Sequence, residues 1–350
     1  MPCRKTRTRS ELLTYNCHRI IYTLGIKDGG SEVMQDLDLA WQVDQVKADL
    51  LPLQWDEKTH IPDSVQQYNR YYKIDFENQL PNVKHEVGYF DAHGFRIVAH
   101  VYRVQNAKGT VMLQHGYYDH VGLYGNIIGH CLQQGYNLFC YDLPGHGLST
   151  GERAGINSFQ QYDQVFVDGL EQCQRHLPGS ISLIGQSTGG AIIVNYLLCR
   201  HINRENSPFD RIFLLAPLVR PMSWNLSLVF FHLAKWFIRR MKRTFTENSN
   251  NPDFVEFVSR HDPLQPLYLQ VTWVRALKDW ITFIENCPSV DLDIHVIQGD
   301  EDGTVDFRHN QKILAQKFMG HEVSYIKGGR HHLANEGPEN LKQVLSCLAL

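Results

Sequence analysis

Ile181-Ser182-Leu183-Ile184-Gly185-Gln186-Ser187-Thr188-Gly189-Gly190-Ala191-Ile192-Ile193 passes from a short apolar run into a small-residue run through a Gly-x-Ser-x-Gly pentapeptide. The first run reads as a buried strand and the second as a helix from Ser187 to about Arg200. A turn this tight brings neighbouring backbone into contact, so Gly185 and Gly189 are needed because they carry no Cβ. It would hold the Ser187 hydroxyl exposed, with the positive end of the following helix aimed where an oxyanion would form. A glycine-rich turn with an incidental serine would satisfy the pentapeptide alone. The strand before it and the helix after it favour a nucleophile.

The same rhythm extends on both sides. Glu86 to Phe90 and Phe95 to Val104 flank Asp91-Ala92-His93-Gly94, which reads as a hairpin turn. Strands are predicted at 109–114, 136–141, 211–216, 293–297 and 323–326, with helices at about 159–177 and 306–319 and after Pro338. Strands alternating with helices imply an α/β fold with a mostly parallel sheet covered on both faces. The opening hairpin is expected to set an antiparallel strand at one edge. Residues 81–221 and 289–350 form this core.

Before it, residues 1–80 read as a helical and irregular extension. Val33, Leu37, Ala40 and Trp41 recur at helical spacing, and the basic start MPCRKTRTRS reads as disordered. Between the two core segments, residues 222–288 interrupt the rhythm and read as a helical insertion.

A serine hydroxyl is a weak nucleophile without a base to take its proton and an acid to orient that base. On a strand–helix sheet these partners follow the nucleophile in the order acid, then histidine, each just after a strand. The strand ending at Gln298 runs into a loop with Asp300, Asp302 and Asp306, and the strand ending at Ile326 runs into His331 and His332. An oxyanion hole also needs a second amide besides that of Thr188, which follows the nucleophile. The turn His115-Gly116-Tyr117-Tyr118 after the strand at 109–114 can supply it.

His115-Gly116, the stretch Asp142-Leu143-Pro144-Gly145-His146-Gly147-Leu148-Ser149-Thr150-Gly151-Glu152-Arg153, the Gly185–Gly189 elbow and Gly328-Gly329-Arg330-His331 together resemble the monoacylglycerol lipase and lysophospholipase (serine aminopeptidase S33-like) branch of the α/β-hydrolases. The resemblance runs from about Lys84 to the C-terminus. It implies an α/β-hydrolase fold, with Ser187 as nucleophile, Asp302 as acid and His331 as base. The acid is Asp302 because the family has it three residues after the glycine that ends the strand. The base is His331 because it matches G-x-x-H, leaving His332 as a loop residue. The resemblance further implies the amides of Tyr117 and Thr188 as oxyanion donors and the insertion as a cap over the acyl pocket. The Gly145-His146-Gly147 loop is then mainly a structural corner. Tyr117 is bulky where the family commonly has a small residue, and is expected to narrow the pocket mouth. The extension has no counterpart in shorter members.

The charge balance, 34 Lys and Arg against 37 Asp and Glu, gives no reason to expect a nucleic-acid partner. Eight cysteines without a CxxC pair argue against a disulfide framework or zinc site and for a reducing compartment, so a cytoplasmic location is expected. No h-region follows the basic start, since Asn16, His18 and Arg19 break the run from Tyr15 to Ile26, and no stretch reaches the length of a membrane span.

Residues 224–238 read as a helix that is apolar over most of its circumference, with Lys235, Arg239, Arg240, Lys242 and Arg243 at its C-terminal end. Either it meets a lipid surface, making the protein peripheral at a membrane, or it is a buried cap helix with its cations suited to the helix dipole. The expected activity is acyl-enzyme hydrolysis of single-chain lipid esters, monoacylglycerol or lysophospholipid, with no metal or organic cofactor. A thioesterase, an amidase or aminopeptidase acting on small substrates, or a non-catalytic lipid-binding protein are the alternatives. The oligomeric state is open.

Overall fold

The computed structural model describes residues 41–55, 60–234 and 237–350; the helical spacing of Val33, Leu37 and Ala40 and the basic N-terminus lie outside them. Helices α1 (Val43–Asp49) and α2 (Asp63–Tyr71) come first. The core then runs β1 (Val83–Ala92), β2 (Phe95–Val104), β3 (Thr110–Gln114), α3 (Gly125–Gln133), β4 (Asn137–Tyr141), α4 (Phe159–His176), β5 (Ile181–Gln186), α5 (Thr188–Cys199) and β6 (Phe209–Leu215). The insertion carries α6 (Trp224–Ala234), β7 (Arg240–Lys242), α7 (Pro252–Glu256), β8 (Tyr268–Gln270) and α8 (Val271–Asn286). The core resumes with β9 (Val290–Gly299), α9 (Phe307–Lys317), β10 (Phe318–Ile326) and α10 (Pro338–Cys347).

His93 and Gly94, both at positive φ, close the β1–β2 hairpin as the two-residue turn whose twist suits antiparallel strands. The eight-stranded sheet has the order β1-β2-β4-β3-β5-β6-β9-β10. Strand β2 runs antiparallel to both β1 and β4, and every later pairing is parallel. The reversed strand is therefore one in from the edge, whereas the sequence reading had it at the edge. The edge strand β1 shares the direction of the parallel set. Its outer side pairs through Leu53 N–H to Tyr89 O and Tyr89 N–H to Leu51 O, so the extension covers an edge that would otherwise be free.

Strands β3, β4 and β5 are buried at every position, as expected where both faces are covered. One face packs on α4, α5 and α8, the latter through Trp273, Leu277, Trp280 and Ile284. The other packs on α3 and on Val46, Val65, Tyr68 and Tyr72 of the extension. Residues 41–55 and 60–80 are thus part of the core. Chain leaving β3 turns toward β4 and chain leaving β5 turns toward β6, so the crevice between β3 and β5 is the switch point where open α/β sheets bind ligands.

The insertion departs from an all-helical reading: β7 and β8 pair as an antiparallel ribbon. Arg240 and Lys242 lie on that ribbon and not on α6. The short helix α7 is capped by Asn251, whose Oδ1 accepts from Phe254 N, and has Pro252 at its first position.

Candidate active site

At the C-terminal end of β5 the chain turns through Ser187 with φ 51° and ψ −111°, a conformation that costs a non-glycine residue energy and is retained where geometry is over-determined. Ser187 N donates to Leu215 O at 2.8 Å, and Ser187 O accepts from Ala191 N at 3.0 Å and Leu218 N at 3.1 Å. A Cβ at Gly185 would come within 2.7 Å of the Gly189 and Gly190 backbone, and one at Gly189 within 2.7 Å of His115 O. The pentapeptide needs its glycines because the elbow packs against the end of β3.

His331 Nε2 lies 3.0 Å from Ser187 Oγ, and His331 Nδ1 lies 2.8 Å from Asp302 Oδ2. All three residues are buried. The loop after β9 fixes Asp302 on its other side: Oδ1 accepts from Thr304 N at 2.8 Å and Val305 N at 3.1 Å, and Oδ2 accepts from Gln298 Nε2 at 3.1 Å. Burial alone would raise the Asp302 pKa, but the facing His331 and the two amides hold it below the usual carboxylate range. Burial likewise disfavours protonated His331, and the Asp302 carboxylate outweighs that, leaving its pKa above the ordinary histidine value.

The neighbouring carboxylates are engaged elsewhere. Asp300 accepts from Gly328 N at 2.6 Å and Asp306 caps α9 through His309 N at 3.2 Å. His332 points away from Ser187. It is a loop residue, as expected from sequence, but a buried one, 2 % exposed, and its Nε2 lies 3.3 Å from Asp119 Oδ2. Asp119 went unnoticed in the sequence. It follows the His115–Tyr118 turn in a stretch with no acidic neighbour, which is the signal that could have marked it.

That turn sits beside the elbow. Gly116 N donates to Tyr124 Oη at 3.0 Å, and Tyr124 donates to Asp119 Oδ2 at 2.8 Å. The amides of Tyr117 and Thr188 have no backbone acceptor among the described residues, and the Thr188 amide opens α5, where the first helical donors are left over. The Tyr117 ring stacks on Trp273 at 3.8 Å and its hydroxyl donates to Ala154 O at 2.7 Å. Asp142 accepts from Val121 N at 2.8 Å and Leu148 N at 2.7 Å, and His115 Nε2 accepts from Leu143 N at 2.9 Å. The residues flanking the Gly145-His146-Gly147 corner are therefore bonded to the turn through His115 and Val121. Among the described residues no group of three His, Cys, Asp or Glu side chains is arranged to hold a metal.

Residues 105–338 match the family model described as serine aminopeptidase, S33. A monoglyceride lipase homologue of monkeypox virus is 24% identical over 252 residues, covering 68% of this chain and 87% of that protein. Mouse monoglyceride lipase is 24% identical over 247 residues, covering 68% and 80%. Among solved structures, a soluble variant of monoglyceride lipase from Saccharomyces cerevisiae in complex with a substrate analogue superposes with a TM-score of 0.62 at 19% identity, covering 75% of this chain and 92% of that one. With its family model spanning most of the sheet and both flanks of the elbow, this chain belongs to the serine aminopeptidase S33 family and is an α/β-hydrolase, similar to the monoglyceride lipases.

Proposed function

We propose that the protein hydrolyses esters of single-chain lipids, monoacylglycerol or lysophospholipid, through an acyl-enzyme on Ser187. As a member of this lipase-containing family it is a carboxylic ester hydrolase. The observation that carries the finer reading is the line of contacts from Ser187 Oγ to His331 Nε2 at 3.0 Å and from His331 Nδ1 to Asp302 Oδ2 at 2.8 Å.

His331 takes the Ser187 proton as Oγ attacks the ester carbonyl, and Asp302 holds the tautomer and stabilises the imidazolium. The amides of Tyr117 and Thr188 stabilise the tetrahedral oxyanion. Collapse expels the alcohol, which takes its proton from His331. Water, deprotonated by the same histidine, then attacks the acyl-enzyme and releases the fatty acid.

In this reading residues 222–288 are the cap. The aromatic wall of Tyr117 and Trp273 suits an apolar acyl chain. On the outer side Val229, Leu233 and Phe237 are 56, 69 and 88 % exposed, beside the exposed cations Arg239, Arg240 and Lys242. Apolar side chains rimmed by cations suit an anionic bilayer surface. No described helix is long and apolar enough to cross a membrane, so the contact is peripheral. The buried free thiols Cys131, Cys140, Cys173 and Cys287 fit a reducing, cytoplasmic setting.

Labelling by a fluorophosphonate probe, run beside ester, thioester and amide substrates of graded chain length, tests the reading. Labelling and long-chain ester turnover that are both lost in Ser187→Ala are expected. Undiminished turnover in Ser187→Ala would overturn the role of Ser187, and a preference for amides or thioesters would overturn the substrate class.

A further inference from the structure

Between Gly116 and Val121 the chain is gripped one residue at a time, and three of the four grips come from the insertion. The Tyr117 ring is stacked on Trp273 of α8 at 3.8 Å and 19°. Tyr118, an aromatic residue held at φ 71°, has the Arg243 guanidinium 4.0 Å above its ring. His120 Nε2 meets Asp262 Oδ2 at 2.9 Å, with both side chains fully buried. Asp119 is held from the core alone, by Tyr124 and His332, and Tyr117 has a second hold there, its hydroxyl donating to Ala154 O at 2.7 Å.

These grips have backing of their own. Arg243 Nη1 donates to Gln265 Oε1 at 2.7 Å. Asp262 also accepts from Gln265 Nε2 at 2.7 Å, Leu264 N at 3.0 Å and Tyr72 Oη at 2.7 Å. The last of these ties the N-terminal extension to the same point. Below the turn, the Gly116 amide is fixed by Tyr124.

We propose that Trp273, Arg243 and Asp262 are positioning residues for the oxyanion hole, so that seating the insertion on the core assembles the hole as well as roofing the site. The inference rests on the reading of the Tyr117 amide as an oxyanion donor. The direction of that amide is set by ψ of Gly116 and φ of Tyr117, and the conformation of Tyr118 anchors the chain on its far side. A left-handed Tyr118 is unfavourable on its own and persists where neighbours enforce it. A donor stabilises the transition state only when it is already aimed, and displacement by about 1 Å can cost on the order of a hundredfold in rate. Without Trp273 the Tyr117 ring can turn, without Arg243 the Tyr118 conformation loses its cover, and without Asp262 the far end of the turn is released.

The test compares wild type, Trp273→Phe, Trp273→Leu, Arg243→Gln and Asp262→Asn on a butyrate ester, too short to report on a deep acyl pocket, with inhibition by the matching trifluoromethyl ketone. In Trp273→Leu, Arg243→Gln and Asp262→Asn, kcat is expected to fall about ten- to a hundredfold with KM within about threefold. The ketone, which forms the tetrahedral oxyanion, should lose affinity in proportion to kcat/KM. Trp273→Phe, which keeps a ring on Tyr117, should lose clearly less kcat than Trp273→Leu. Variants with wild-type thermal midpoints whose kcat stays within about threefold, or whose KM alone changes, would overturn the proposal. Asp262→Asn preserves side-chain volume, so it carries the test if Trp273→Leu unfolds. Failure of the Ser187 reading shows differently, as an unlabelled, inactive wild type.

Discussion

Asp119 and His332 face one another 3.3 Å apart beneath the turn that carries Tyr117, so the residue beside the candidate base and the loop beside the candidate nucleophile share one partly buried carboxylate. The contact lies off hydrogen-bond geometry, while Tyr124 supplies the hydrogen bond to the same oxygen. Burial would raise the Asp119 pKa, but the opposing His332 and the Tyr124 hydroxyl hold it below the ordinary carboxylate range.

Asp119→Asn is therefore expected to lower unfolding free energy at neutral pH by about 1–3 kcal/mol, the scale of an impaired buried polar network. A carboxylate whose pKa is depressed on folding contributes stability above its unfolded pKa, and that contribution is lost as pH falls through the folded value. The gap between variant and wild type should thus narrow with acidification in denaturant titrations. Equal stability at pH 7 would refute the pairing.

Alanine at His331 should lower kcat by several orders of magnitude, on the scale of removing a triad member. His332→Ala should cost activity roughly tenfold or less and show its larger effect in the thermal midpoint, because His332 is interior and packs on Phe254 at 4.5 Å. Among the acids, Asp302→Ala should be the most damaging to kcat. Asp306→Ala should mainly cost the helix cap, about 1 kcal/mol. A reversed ranking in steady-state kinetics, in either set, would reassign the roles.

The pH–rate profile follows from the same contact. A general base works when neutral, so kcat/KM rises as His331 loses its proton. With the His331 pKa raised by Asp302, the acidic limb should lie above the ordinary histidine value of about 6.5. Replacing Asp302 by Asn removes the favourable charge and should move the limb of the residual activity to lower pH. A limb that stays in place would show that a different group controls it.

For the outer face of the insertion, Leu233→Asp combined with Phe237→Asp should weaken sedimentation with anionic vesicles while leaving hydrolysis of a water-soluble short-chain ester near wild type. High salt should weaken binding of the wild type to the same vesicles, since exposed cations are screened. Unchanged vesicle binding in the double variant would remove this face as the membrane contact.

The sequence alone determined the alternation of strands and helices, the hairpin at His93-Gly94, the elbow at Ser187 and the loops that hold Asp302 and His331. Each of these is a local matter: a period of side chains along one element, or a backbone turn that only glycine permits. Family resemblance, and not spacing, selected Asp302 and His331 from their neighbours, and the structure sets these two within hydrogen-bond reach of one another. Only the tertiary structure decided that β2 is reversed inside the sheet, that 41–55 and 60–80 pack into the core, that His332 is buried against Asp119, and that Trp273, Arg243 and Asp262 close on residues 117–120. The first two depend on pairs tens of residues apart, such as Ala99 with Tyr141 and Leu53 with Tyr89, and the last two on pairs more than a hundred apart, such as His120 with Asp262. No periodicity records them, because which buried polar group meets which is settled when the layers pack and each must find a partner.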